Sequence, residues 1–483
     1  MSLFFKLAFL FSVLFHSDIY AVPIDWHGVF GADTTIIDNY RRVEALHETK
    51  TGVGSEEVSL AGGKTNASFQ SYIFHLNPHV VINDSTSFKS ELSLNSGSRS
   101  QFLGDSQKPG NGDGFGTALY PQNFANNSSG LAANQFYMEL YADTATYIIG
   151  RHTSHYGLGA VINSGDNIWD RHAFARDGIS MKVRLGNFTI NPYWGKVAHG
   201  GTLTDGTRVK DYGASLIYDN LERDLGFGIL YGKKKNSSLN DTIDSEISGT
   251  ATALGKTDVK VTDLYFKKGF GKFSFQLEVP LISGDIGNAY GNDRNAKYNA
   301  KAIIFETKFD LSDSVTIGLN GGKVDGDGGT SSSYEAMYLN PNYKIANLLF
   351  AYNLNAINGA SSSLYNSYVT NVTYLKLFAN FKSSKWNWTP AFIWARANEV
   401  AKKGVMFHDH MRNRQVMAQD TQSDDLGMEI DLNFTYDWND ALQIGGKSAY
   451  LLTGDYFAFT NDPVNKNKAD NSYLLQLNAI VHF

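Results

Sequence analysis

Apolar and polar residues take turns along much of this chain. In Phe273 to Leu281 the odd positions are Phe273, Phe275, Leu277, Val279 and Leu281, and the even ones are Ser274, Gln276, Glu278 and Pro280. Leu426 to Trp438 repeats the pattern, with Leu426, Met428, Ile430, Leu432, Phe434, Tyr436 and Trp438 set against Gly427, Glu429, Asp431, Asn433, Thr435 and Asp437. Ile179, Met181, Val183 and Leu185 alternate with Ser180, Lys182 and Arg184, and Phe136, Met138 and Leu140 with Tyr137, Glu139 and Tyr141. A period of two predicts strands with one greasy and one wet face. The last residues, Tyr473 to Phe483, follow the same rule and end on an aromatic carboxyl terminus.

The connections alternate as well. Tight turns are expected at Asn83 to Ser85, Asp143-Thr144, Gly186-Asn187, Leu221 to Arg223, Gly269 to Gly271, Leu311 to Ser314, Ser383 to Lys385 and Trp438 to Ala441. Long Gly-, Ser- and Asn-rich stretches fall at 43–66, 98–132, 154–175, 238–259, 285–296, 326–333, 402–423 and 458–470. This segregation predicts an all-β, single closed antiparallel transmembrane β-barrel of about 18 to 20 strands, with short periplasmic turns and long extracellular loops. The larger count holds if Tyr334 to Tyr343 and Leu348 to Ala356 are two short strands. The opening strand, around Asp25 to Arg42, is expected to pair with the closing one so that no sheet edge remains.

The alternating terminal strand that ends on Phe483 resembles the insertion signal of Gram-negative outer-membrane barrels of porin type. That resemblance implies an outer-membrane location, lipid contact, and insertion by the barrel-assembly machinery through the last strand. Ile24 to Ala32 is similar to the first strand of maltoporin-type sugar channels, as is Pro390-Ala391-Phe392 more faintly. Loop 154–175 resembles the third loop of porins, which folds into the bore and narrows it. Likeness to general porins implies a homotrimer, likeness to wider single-chain channels a monomer, and both stay open.

Met1 to Ala21 carries Lys6, then the apolar run Leu7 to Phe15, and reads as a signal peptide cleaved after Ala21, leaving residues 22–483 as one barrel domain. No later run has the roughly 18 to 20 apolar residues a spanning helix needs. Cysteine is absent, which removes disulfides, thiolate metal sites and a Cys nucleophile. A net charge of −6 without a basic stripe argues against a nucleic-acid partner. No cofactor is expected.

The polar face defines the candidate pore lining: Glu139, Lys182, Arg184, Glu278, Glu429 and Asp431, joined by His75, His79, Lys89, Glu91, Asp211, Lys376, Gln443 and Lys447. Such charges would cost roughly 2 to 4 kcal/mol each for Arg or Lys at mid-bilayer if they faced lipid, so a hydrated lumen is the reading. Constriction candidates come from loop 154–175 and its flanks: Arg151, His152, Asp170, Arg171, His172 and Arg176. The arginines and His172 are expected to meet acidic wall residues. For any one of these positions the plainer alternative is a paired or solvated wall charge.

The faces of Trp386 to Ala397 are ambiguous. Trp388, Phe392 and Trp394 form either a lipid girdle or an inward sugar-stacking track beside Arg396. His408-Asp409-His410 reads as a solvated loop before a metal site, and Asp325-Gly326-Asp327 and Asn111-Gly112-Asp113 as turns before calcium loops. Gly157-Leu158-Gly159 lacks the context of a phosphate cradle. The leading function is passive diffusion of small hydrophilic solutes, sugars included. The alternatives are an adhesion or structural barrel with a closed lumen, and a rim hydrolase built from Ser154-His155 and Asp170 to His172.

Overall fold

The computed structural model describes residues 24–44, 50–51, 57–59, 66–94, 100–102, 131–172, 174–197, 209–235, 257–286, 296–329, 333–353, 364–365, 367–409, 414–464 and 467–483. The leader, loop 98–132 apart from its ends, Asn111 to Asp113 and His410 lie outside them.

The wall is built from β1 (Ile24–Asp38), β2 (Ala67–Asn83), β3 (Thr86–Ser93), β4 (Ala132–Tyr141), β5 (Ala145–His152) and β6 (Arg176–Leu185). It continues through β7 (Phe188–Val197), β8 (Val209–Asn220), β9 (Leu225–Lys235), β10 (Thr257–Phe270), β11 (Phe273–Ile286) and β12 (Lys297–Ser312). The last third is β13 (Val315–Val324), β14 (Val372–Lys382), β15 (Trp386–Ala397), β16 (Asp425–Asp437), β17 (Leu442–Thr453) and β18 (Ser472–His482). Each pairs antiparallel with its chain neighbours. The circle closes where β1 meets β18, from Val29 opposite His482 to Asp38 opposite Tyr473. Closure satisfies every ladder between strands and leaves no edge, the condition for crossing hydrocarbon.

Eighteen strands span the wall. The higher count fails at 325–371, between β13 and β14. There, among the described residues, only Ser333–Tyr334 joins the sheet's ladder, in a short parallel bridge to Lys297–Tyr298. Ala336, Met337, Tyr338, Leu339 and Asn340 are all buried in succession. A membrane strand buries every second residue; a run buried on all sides is a segment surrounded by protein.

Outward faces are apolar and exposed: Phe30 and Ile36 on β1, Leu281 on β11, Met428, Ile430 and Leu432 on β16, Leu475 and Leu477 on β18. A soluble protein rarely displays a contiguous apolar belt of this extent. Trp386, Trp388 and Phe392 belong to it, so the inward stacking track is absent and Arg396 pairs outward with Asp424. Leu426 departs from its expected face. Gly427 has φ +100° and the register to β15 slips there, a bulge that turns Leu426 inward to 3% exposure.

The buried core lies inside the barrel. Inward Ala300, Ala302 and Ile304 of β12, Ile393 and Ala395 of β15 and Leu451 of β17 pack against Met337, Leu339 and Leu348 of segment 325–371. Part of the bore is thus apolar, because protein rather than water fills it at that height.

Candidate functional site

Two segments lie against the inner wall. The first, 153–175, joins β5 to β6. Its turn at Gly157-Leu158-Gly159 has φ values of +62° and +78° at the two glycines, and the Leu158 N–H donates to the Glu278 carboxylate. A Cβ at Gly157 would come within 2.5 Å of that carboxylate, so the close approach requires glycine. The turn thus holds a carboxylate from the wall beside Gly157. The Tyr156 hydroxyl donates to the Asp263 carbonyl at 3.1 Å, and Leu158, Val161 and Ile162 pack on the core.

Farther along the segment, side-chain charges take over. Arg171 donates to Asp33, which is fully buried on β1 and also accepts from Ser71 at 2.6 Å and Thr35 at 3.2 Å. The Arg171 guanidinium lies 4.3 Å from the Tyr365 ring centre and 5.1 Å from that of Trp169. Arg176, the first residue of β6, sits 3.4 Å from Asp211 and 4.0 Å from the Tyr193 ring. Asp170 closes a local turn by accepting the Asn167 N–H at 3.1 Å.

The second segment, 325–371, is held through its backbone. Glu429 accepts the N–H groups of Leu348 and Leu349 at 2.6 and 2.7 Å, and Asp431 accepts that of Asn347 at 3.1 Å. Arg42, just beyond β1, donates to the Leu348 carbonyl at 3.0 Å. Burial pushes its guanidinium down to about 10 while Glu429 works to raise it, so it remains a cation at neutral pH. Tyr343 donates to Glu306 at 3.1 Å.

The two segments meet. The Asn340 N–H donates to the Ala160 carbonyl at 2.7 Å, Asn342 donates to the His172 carbonyl at 3.0 Å, and the His172 Nε2 lies 3.1 Å from the Tyr365 carbonyl. They form one packed unit inside the barrel.

The candidate residues divide accordingly. Glu278, Glu429 and Asp431 face inward but are occupied in anchoring the segments. Arg171 and Arg176 meet acidic wall residues, whereas His172 meets a carbonyl. Glu139 faces inward and pairs with Lys89 at 2.8 Å. Lys182 and Arg184 are exposed, on the parity of inward Ser180 and at the short-turn end of β6. His152 is buried, with Nε2 2.8 Å from the Ser180 hydroxyl.

Arg151 is a correction. It pairs with Asp177 at 2.6 Å and stands opposite Phe136, on the outward parity of Ile149 and Ile179, so it braces the outer face of β5 and β6 and does not line the pore. Period two decides this: its neighbour His152 takes the inward side.

Sequence reading missed Asp33, Arg42, Glu306 and the whole second segment. Asp33 carried a faint signal as a polar residue in register with Thr35 on the inward face of β1. Lys344 of the second segment donates to the carbonyls of Phe350 at 3.2 Å and Ser367 at 3.0 Å, and the inward wall lysine Lys447 on β17 is within electrostatic reach of Lys344, of Arg171 and of Lys376 on β14. None of these cations forms an ion pair among the described residues apart from Arg171 with Asp33.

The hydrolase grouping is arranged differently from its expectation. His155 Nδ1 is 3.5 Å from Ser164, not Ser154, and the Ser164 hydroxyl is committed to Asp166 at 2.5 Å. A nucleophile needs its proton directed to the base, and here it points to a carboxylate. His408 is buried edge-on to Tyr334 with Nε2 3.3 Å from its hydroxyl. Asp327 accepts the Gly329 N–H at 2.9 Å in a turn. Among the described residues no group of three metal-ligating side chains assembles.

No protein-family model matches this sequence, and no curated protein matches it. Solved structures similar in shape include Pseudomonas aeruginosa OccK9 (OpdG), at TM-score 0.48 and 11% identity over 95% of this chain and 98% of that one. Pseudomonas aeruginosa OpdQ gives 0.47 and 10% over 95% and 97%. OmpT, an outer membrane protein of Vibrio cholerae, gives 0.37 and 8% over 95% and 97%. The barrel itself is established by its own strand pairing.

Proposed function

We propose that this protein is an outer-membrane channel for passive diffusion of small hydrophilic solutes, with a preference for anions. The observation that carries the reading is the meeting of two inserted segments inside a closed barrel whose outside is apolar. A belt of exposed Leu, Ile and Phe requires hydrocarbon around it, and lumenal charge requires water within.

The anion preference follows from which charges are already committed. Asp33 accepts from Arg171, and Glu278, Glu429 and Asp431 accept backbone N–H groups of the segments. Lys376 and Lys447 make no ion pair among the described residues and face whatever passes. Lys182 and Arg184 extend a positive sign toward the short-turn end. The sugar variant loses its stacking track, since Trp388 and Phe392 face outward. The closing strand ending on Phe483 is inferred to be what the barrel-assembly machinery reads.

The test is conductance of the purified protein in planar bilayers, with reversal potential in a potassium chloride gradient. Discrete ohmic openings with chloride favoured over potassium support the reading. A barrel that inserts but never opens would leave the closed-lumen adhesion or structural role.

A further inference from the structure

Four imidazoles gather on the inward face of three adjacent strands at the short-turn end, away from the unit formed by the two segments. His27 lies on β1 at the parity of inward Val29 and Asp33, His75 and His79 on β2 at that of Ser71 and Ile73, and His482 on β18 at that of Ile480. The register brings them together across the seam that closes the barrel. Val29 stands opposite both His482 and His75, and Asp25 opposite His79, so His27 is diagonal to all three. Diagonal residues of a ladder are about 7 to 8 Å apart, which puts each ring in the field of the next. His27 is exposed and the other three are half-buried, within reach of lumenal water.

Among the described residues the charged and titratable groups facing them come from five strands. Asp25 of β1 is 2.8 Å from the His27 ring. Glu139 of β4 is within electrostatic reach of His79, pairs with Lys89 of β3 at 2.8 Å and accepts from the Tyr141 hydroxyl, and Tyr137 stands opposite Lys89. Beyond the seam, Gln443 of β17 donates to Asp437 of β16 at 2.7 Å. Lys182 and Arg184 belong to β6, farther round the wall. Three carboxylates against Lys89 leave the seam side of this rim negative while the imidazoles are neutral.

We infer that His27, His75, His79 and His482 form a second, proton-dependent selectivity filter at the short-turn mouth, a proposal that rests on the channel reading. An imidazole takes up its proton between about pH 8 and pH 5, a range in which a lysine and a hydrated carboxylate largely keep their charge. Four imidazolium charges outweigh the excess of two carboxylates and turn the rim positive. In a neutral medium a passing anion then meets an attractive field at the segments alone. In mild acid it meets one at the short-turn mouth as well.

The experiment is the reversal potential of the purified full chain in planar bilayers under a potassium chloride gradient, read at about pH 7.5 and about pH 5, either side of the imidazole transition. The chloride-to-potassium permeability ratio of wild type should rise about threefold in acid, the size expected of a few screened charges about 8 to 10 Å from a passing ion. The quadruple variant His27→Gln/His75→Gln/His79→Gln/His482→Gln should lose the rise. At the higher pH its conductance should equal wild type, which certifies its fold. His75→Gln/His79→Gln, which leaves two imidazoles in place, should keep about half of the rise, and His155→Gln on the first segment should keep all of it. A full rise in the quadruple and double variants, or none in wild type, overturns the proposal while leaving the channel intact. A barrel that opens at neither pH overturns the channel reading and this filter with it.

Discussion

The two inserted segments solve the same problem by different chemistry. Segment 153–175 brings its own charges: Arg171 reaches Asp33 and Arg176 reaches Asp211. Segment 325–371 uses wall carboxylates to collect its backbone, Glu429 on Leu348 and Leu349 and Asp431 on Asn347. Both need a carboxylate on the inner wall, because a chain leaving the sheet carries N–H groups that must find partners where protein replaces water. The difference is one of weight: apart from the Leu158 N–H on Glu278 the first segment is held by arginine side chains, and apart from Tyr343 on Glu306 the second meets wall carboxylates through peptide groups.

Removing Glu429 should have the largest effect. Glu429→Ala deletes two charge-assisted acceptors worth about 1.5 to 3 kcal/mol each, offset in part by water entering the lumen. The second segment should come away from the wall, giving larger and noisier single-channel currents. Glu429→Gln, which keeps one acceptor oxygen, should fall between. An unchanged current in Glu429→Ala would mean that the second segment does not set the bore.

Arg171→Ala attacks the first segment through its side chain and leaves Asp33 without its cation. Breaking a buried pair costs roughly 3 to 5 kcal/mol, less here to the extent that lumen water reaches Asp33. The thermal midpoint of the folded barrel should fall, and adding Asp33→Asn should restore much of it. Failure of the double variant to recover would show that Arg171 acts through Tyr365 and Trp169 instead.

The difference in chemistry also explains what the sequence revealed. The alternation of β11 and β16, the tight turns and the closing strand exposed the barrel, because lipid outside and water inside impose period two. Loop 154–175 stood out through Arg171, Arg176 and paired glycines, which are side-chain signals. Segment 325–371 gave none, since peptide N–H groups look alike in every residue, and its Tyr334 to Tyr343 stretch was apolar enough to pass for strand. Tyr298, Ala300 and Ala302 on the inward side of β12 are apolar beneath that segment, while Lys297, Asn299 and Lys301 outside are polar. The usual polarity is inverted there, and Arg151 departs from the expected polarity in the same way at the long-loop end of β5.

Gly157→Ala should be milder. A left-handed φ of +62° costs an Ala roughly 1 to 2 kcal/mol, and its Cβ would press on Glu278. The turn should lift without releasing Arg171 or Arg176, so the expected outcome is a modest rise in conductance with intact anion preference. A loss of preference would place the selectivity of the pore in the turn itself.

Smallest in current, but sharpest for function, is the Lys376→Gln/Lys447→Gln double variant. Neither lysine anchors a segment by an ion pair among the described residues, so the bore should keep its size and its conductance in symmetric salt should change little. Both act on the field at the segments, where a charge seen through a partly protein-filled bore is screened less than one on an open surface. Removing two positive charges should move the reversal potential in a salt gradient toward that of cations, and high salt should shrink the difference from wild type. A potential that stays put would mean that these lysines are neutralised by Asp33 and Asp431, and that the anion preference originates at Lys182 and Arg184 near the short-turn end.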